Sequence, residues 1–239
     1  MIKFFRKIRQ KLLTENKFSK YLIYAIGEIV LVVIGILIAL AINNANEERK
    51  NRALESAYLS DIHQDFLLNK SQFEERLQSH RNQFQIADSL CRRVFPITDE
   101  NWKEVRDIYD DVFLPHTFNA NKSSIVSLIS SGRSDIIQND SLKKIILAWN
   151  DSYEDYKENE DALLKLWDTW NDILINEPYF DDYRGDTIQA IPYNLKVKLE
   201  RLMRRRRTEL GLTTSRWKLN QESNEILTMI NSIISLTEP

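Results

Sequence analysis

Hydrophobic and polar positions divide the chain into one unbroken apolar stretch and a long region of helical periodicity. From Tyr21 to Ile42 the residues read YLIYAIGEIVLVVIGILIALAI, 22 positions interrupted by a single carboxylate, Glu28. At about 1.5 Å per residue, such a helix measures about 33 Å and crosses a hydrocarbon core of about 30 Å with modest tilt. Residues 45 to 95 then stay polar and helix-prone, with no proline before Pro96. Phe73, Leu77, Phe84, Ala87, Cys91 and Val94 recur at spacings of three and four, with His80 in one apolar slot, which predicts a long amphipathic helix able to continue the apolar one. A coiled-coil stalk is the alternative, although its heptads are impure.

Shorter helices follow, each with its own punctuation. Thr98 and Asp99 are suited to cap a helix that runs to about Phe113 and stops before Pro115. Asn121 or Ser123 opens a short one that ends at Ser131, where Gly132 supplies a left-handed residue. Asn139 or Asp140 starts a helix with Leu142, Ile145, Ile146 and Trp149 on one stripe, continuing through Tyr153, Tyr156, Leu163, Leu166, Trp167 and Trp170 until Pro178. Residues 193 to 210 form another, closed by Gly211, and Ser215 caps a last one through about Leu236. Strand alternation is absent. The expected fold is all-α: one N-terminal transmembrane helix (21–43), then a mostly helical extracytoplasmic bundle (44–239).

Charge orients the span. Seven lysines and arginines precede it against the single acid Glu15, whereas Glu47 and Glu48 mix with Arg49, Lys50 and Arg52 just after it. The positive-inside bias therefore places residues 1–20 in the cytosol and the bulk across a bacterial inner membrane. Phe5, Ile8 and Leu12 at helical spacing predict an interfacial helix whose Lys3, Arg6, Lys7, Arg9 and Lys11 meet lipid headgroups; a disordered basic anchor is the plainer reading. A cleaved export signal is the competing one, with Ala39-Leu40-Ala41 as its cleavage site, but the apolar run is too long and Ile42 continues it. A mitochondrial presequence fits less well, because the tail leads straight into a full span.

Composition narrows the chemistry. Only Cys91 is present, so no intrachain disulfide forms. Of the five glycines two lie in the span and the others are scattered, which counts against phosphate-cradling loops.

MIKFFRKIRQKLLTENKFSKYLIYAIGEIVLVVIGILIALAINNANEERK resembles the opening shared by a large group of uncharacterised single-span proteins of the Bacteroidota. NKSSIVSLISSGRSDIIQNDSLKKII is similar to their second recognisable segment. The resemblance implies an inner-membrane protein with a helical outer domain and carries no activity with it. Where many relatives read INNWNE, this chain has Ile42-Asn43-Asn44-Ala45-Asn46-Glu47, without the interfacial tryptophan.

Candidate sites are few. Glu28 is costly inside a bilayer, and Gly35 and Ala39 share its face, so the three make a small-residue stripe for association with a second copy or another membrane protein. The alternatives are a residue merely tolerated near the inner interface and, less favoured, proton transfer by Glu28, as in subunits of ion-coupled membrane machines. Arg204, Arg205, Arg206 and Arg207 offer a contact for an acidic partner or lipid, or pair internally with Asp151, Glu154, Asp155 and Glu158; across the membrane nucleic acid is no partner.

His63, His80 and His116 lack the spacing of a zinc helix and are read as structural or exposed. Asp181, Asp182 and Asp186 around Gly185 lack the ligand spacing of a calcium loop, and Trp149, Trp167 and Trp170 are read as core. No catalytic, cofactor-binding or metal-binding residues are expected. The leading expectation is a non-catalytic interaction, scaffold or sensor component; a subunit using Glu28 and a membrane-anchored hydrolase are the alternatives.

Overall fold

The computed structural model describes residues 18–180, 190–217 and 220–238. They form an all-α chain of six helices with no strand among the described residues. Contacts divide it into two units, residues 1–56 and 57–239.

Helix α1 runs from Phe18 to Ser89 and contributes to both units. Nothing in its sequence breaks it: it holds no proline, and its two glycines, Gly27 and Gly35, fall in the apolar stretch. In the first unit that stretch is exposed, with a mean hydropathy of 2.9 over its most apolar window, and it is the one described helix long and apolar enough to cross a membrane.

In the second unit α1 buries Ile62, Phe66, Asn69, Phe73, Leu77, His80, Phe84 and Ala87, a stripe at spacings of three and four. It ends in a wide π-helical turn, Leu90–Val94, closed by Phe95 N–H donating to the Leu90 carbonyl at 3.2 Å.

Helix α2 spans Trp102–Phe113. It starts later than Thr98 and Asp99 suggest, because Thr98 and Asn101 bond each other's backbone N–H (2.8 and 3.2 Å) and close a turn before the helix opens. Helix α3, Ser123–Ser130, stops at Gly132, whose φ of 67° is the left-handed value that favours glycine. Helix α4, Asp140–Asn176, is capped by the Asn139 side chain, which accepts from Ser141 and Leu142 N–H at 3.0 Å each.

Helices α5, Tyr193–Thr213, and α6, Glu222–Leu236, complete the bundle. Two expectations fail here. Gly211 lies inside α5 instead of ending it: a Cβ there would stand 2.8 Å from the Trp217 indole, so the missing side chain makes room for that ring. Ser215 caps nothing; at φ 50° it turns the chain after α5, and its hydroxyl lies 2.6 Å from that of Ser223 at the start of α6.

Two apolar cores form. One joins the end of α1 with α2, the later half of α4 and α5; the other joins Ile62–Leu77 of α1 with α3, the earlier half of α4 and α6. On α1 the changeover falls between Leu77 and Phe84, and on α4 between Tyr156 and Leu163. The residues at those changeovers are polar.

Candidate functional site

His80 on α1, Glu160 on α4 and Arg206 on α5 each occupy a buried position in a mostly apolar stripe, and each is at most 1 % exposed. Buried polar groups at one level require partners, and a segment lacking secondary structure supplies them. Between α2 and α3 the chain from Leu114 to Lys122 has no helix to satisfy its backbone. Side chains do so instead. Gln83 donates to the Leu114 carbonyl (2.8 Å) and, at the end of α2, to that of Asp111 (3.0 Å); Arg206 donates to Val112 of α2 and Leu163 of α4 (3.0 and 2.7 Å) and reaches the Leu114 carbonyl at 3.4 Å. His80 Nε2 donates to the His116 carbonyl at 2.8 Å, and both Glu160 oxygens accept Phe118 N–H at 3.0 Å. Further along, Asn69 pairs with Asn121 in both directions at 2.7 Å.

The electrostatics follow from this burial. Since His80 Nε2 faces a carbonyl, that nitrogen carries the proton, and Nδ1 is left without a partner. Burial lowers the His80 pKa to about 3; the His116 bond opposes this, and the charge of Arg206 adds to it. Arg206 is lowered to about 10 by burial, and the oxygens it bonds are neutral; its guanidinium also lies over the Phe113 ring at 5.3 Å. Burial raises Glu160, against the pull of Lys157, Phe118 N–H and the Tyr156 hydroxyl. These groups resemble an acid-base constellation in type, but their hydrogen bonds hold in place one strap, residues 114–122, that is buried at Phe118.

The strap delivers α3 to a defined position. Asp65 of α1 accepts from Asn121 Nδ2 at 2.6 Å, Ser124 N–H at 3.2 Å and the Ser124 hydroxyl, so a carboxylate from another helix caps α3. One side of α3 packs inward through Ile125 and Leu128, while Val126 and Ile129 stay 50 % and 42 % exposed. Between them and α4 lies an open cleft of about 300 Å³, lined by Lys122, Ile125, Val126, Ile129, Trp149 and Asn150. Leu147, three residues before Asn150 on α4, is also exposed. Lys122 Nζ bonds Asn150 Oδ1 (3.1 Å) and Glu154 (3.4 Å) at the rim, and lies over the Tyr153 ring.

A family of unknown function, DUF6090, matches residues 28–166, more than half of the chain. The chain belongs to this family. The DUF6090 match takes in the strap, the Asp65 cap and all residues lining the cleft, and it ends before α5 with Arg206. No curated protein and no solved structure matches the chain.

The residues singled out from sequence are placed as follows. Glu28, Gly35 and Ala39 lie on α1 within the first unit, and a Cβ at Gly35 would meet nothing within 4 Å. Lys3, Arg6, Lys7, Arg9 and Lys11, and the aspartates around Gly185, fall outside the described residues. The four arginines are each engaged within the domain: Arg204 over the Phe95 ring, Arg205 with Glu209 at 2.5 Å, Arg206 in the strap, and Arg207 with Asp88 at 2.6 Å. Their acidic partners are Asp88 and Glu209, not the acids of residues 151–158.

His63 bonds the Thr237 hydroxyl at 3.1 Å, and the His80 and His116 rings are 6.2 Å apart. No group of three His, Cys, Asp or Glu suited to a metal occurs among the described residues. Trp149 and Trp170 are wholly buried, Trp167 partly. Sequence reasoning did not find the cleft, Asp65, Asn69 or Glu160. An aspartate and an asparagine four apart on the buried side of α1 were the available signal.

Proposed function

We propose that this is a single-pass protein of the bacterial inner membrane, with its basic N-terminus in the cytosol, and that its helical domain recognises a partner without catalysis. The observation that carries the reading is the open apolar cleft between α3 and α4. The buried histidine, arginine and glutamate are engaged with backbone, whereas this cleft is open and apolar. Single exposed apolar residues are ordinary, but Val126 and Ile129 together at the mouth of a concave site suit recognition.

The apolar helix and the basic excess before it support anchorage and orientation. Glu28, Gly35 and Ala39 support side-by-side packing of that helix with a second copy or another membrane protein, with lipid around the rest. Arg204 and Arg205 are exposed, although Arg204 lies over Phe95 and Arg205 pairs with Glu209, and support contact with an acidic partner or lipid.

Recovery of a defined complex in mild detergent tests the recognition reading. Val126→Glu should lose the complex while unfolding at the wild-type temperature. A complex unaffected by Val126→Glu, or no reproducible complex, overturns the reading.

A further inference from the structure

The lining of the cleft has a hydrogen-bonding bias. Trp149 is wholly buried, yet its indole N–H has no acceptor. A group with no exposed surface offers no donor to the open cleft, so Trp149 stands beside it as a reporter and the accessible donors are those of Lys122 and Asn150. Lys122 offers three N–H donors, of which Asn150 Oδ1 and Glu154 take two. Asn150 has its oxygen engaged by that lysine, and its amide hydrogens add to the donor side. The rest of the lining is aliphatic at Ile125, Val126 and Ile129, with Ser130 beside them, whose hydroxyl donates to the Ser127 carbonyl at 3.3 Å.

A donor-rich rim above an aliphatic wall is complementary to a molecule with an acceptor at one end and a hydrocarbon tail at the other. A carboxylate is the strongest such acceptor, because its bonds to an ammonium are charge-assisted. At about 300 Å³ the cleft is at the small end of ligand sites, which excludes a full lipid and fits a short chain. Resting on the recognition reading above, we infer that the α3–α4 cleft binds a short-chain aliphatic carboxylate, its tail against Val126 and Ile129 and its head toward Lys122. Glu154, at 3.4 Å from the same ammonium, competes with the ligand head and sets a limit on affinity.

The full-length protein in lipid nanodiscs, labelled with ¹⁵N and titrated with hexanoate, tests this by NMR of the indole N–H groups. Trp149→Phe assigns the Trp149 resonance. It should move saturably with hexanoate, and hexanoate should bind about tenfold tighter than 1-hexanol, as one charge-assisted bond implies. Lys122→Met should abolish that preference, Glu154→Gln should increase it, and Val126→Glu should remove binding of both compounds.

No saturable shift, equal binding of hexanol by the wild type, or a titration unchanged in Val126→Glu overturns the inference. Should hexanoate fail while the detergent complex still depends on Val126, the ligand class is wrong and the recognition reading stands. Should both fail, the cleft is not a site.

Discussion

Asn69 and Asn121 exchange two hydrogen bonds of 2.7 Å, the side-chain amide of one against the backbone amide of the other. A buried helix residue thereby does for an extended segment what a neighbouring strand does in a sheet. Asn69→Ala would remove both partners of the Asn121 backbone N–H and carbonyl from the wholly buried Asn69 side. The expected loss is about 2–4 kcal/mol, read by chemical denaturation. A loss below about 0.5 kcal/mol would mean that the strap is held elsewhere.

Arg206 is a charge in the core whose removal should nevertheless destabilise. Its guanidinium bonds the Val112, Leu163 and Leu114 carbonyls and Gln83, so Arg206→Met strands several acceptors at once. About 3–5 kcal/mol of stability should go, with Arg206→Lys keeping only part of it, because an ammonium lacks the planar fork. A stabilised Met variant would show that desolvation of the arginine outweighs its bonds.

Acid should weaken the domain through His80. Its folded pKa, about 3, lies below the ordinary 6.5, so the unfolded chain binds the extra proton first. That contribution is whole above pH 6.5 and falls as pH drops toward 3, with a slope approaching about 1.4 kcal/mol per pH unit in mid-window. His116, also lowered by burial, acts in the same direction. Glu160 opposes both: its raised pKa favours the folded state on acidification. Stability measured from pH 7 to 4 should therefore fall less steeply in His80→Gln than in the wild type. Parallel profiles would remove His80 from the account.

Asp65 should govern α3 locally more than the whole domain. Asp65→Ala removes the cap provided by another helix, with an expected cost of about 1–2 kcal/mol. Amide hydrogen exchange should accelerate at residues 123–130 while the far core keeps its protection. Uniform acceleration over the domain would show that the cap is part of global folding.

The helices were largely legible in the chain because their ends carry recognisable residues: Gly132 after α3, Asn139 before α4, Pro178 after it. Gly211 and Ser215 misled because a glycine that admits an indole and a serine in a left-handed turn look, in one dimension, like a stop and a cap. The polar layer was hidden for another reason. His80, Gln83, Glu160 and Arg206 come from three helices, and their shared partner is backbone, which leaves no residue-type signature. The arginine run suggested acids on α4, but helical geometry turns consecutive residues to different neighbours, and Arg206 faces carbonyls while Arg207 reaches Asp88. The cleft was likewise out of reach, since α3 and α4 form it only once Asp65 and the strap fix α3.

Recognition through the α3–α4 cleft is tested most directly by a photoreactive residue placed at Val126 in intact cells, with another at Gln78 on the exposed polar side of α1 as reference. Val126 should give a discrete adduct that Gln78 does not give and that an added Ile129→Glu suppresses. Identical patterns from the two positions, or no adduct from Val126, would contradict the account.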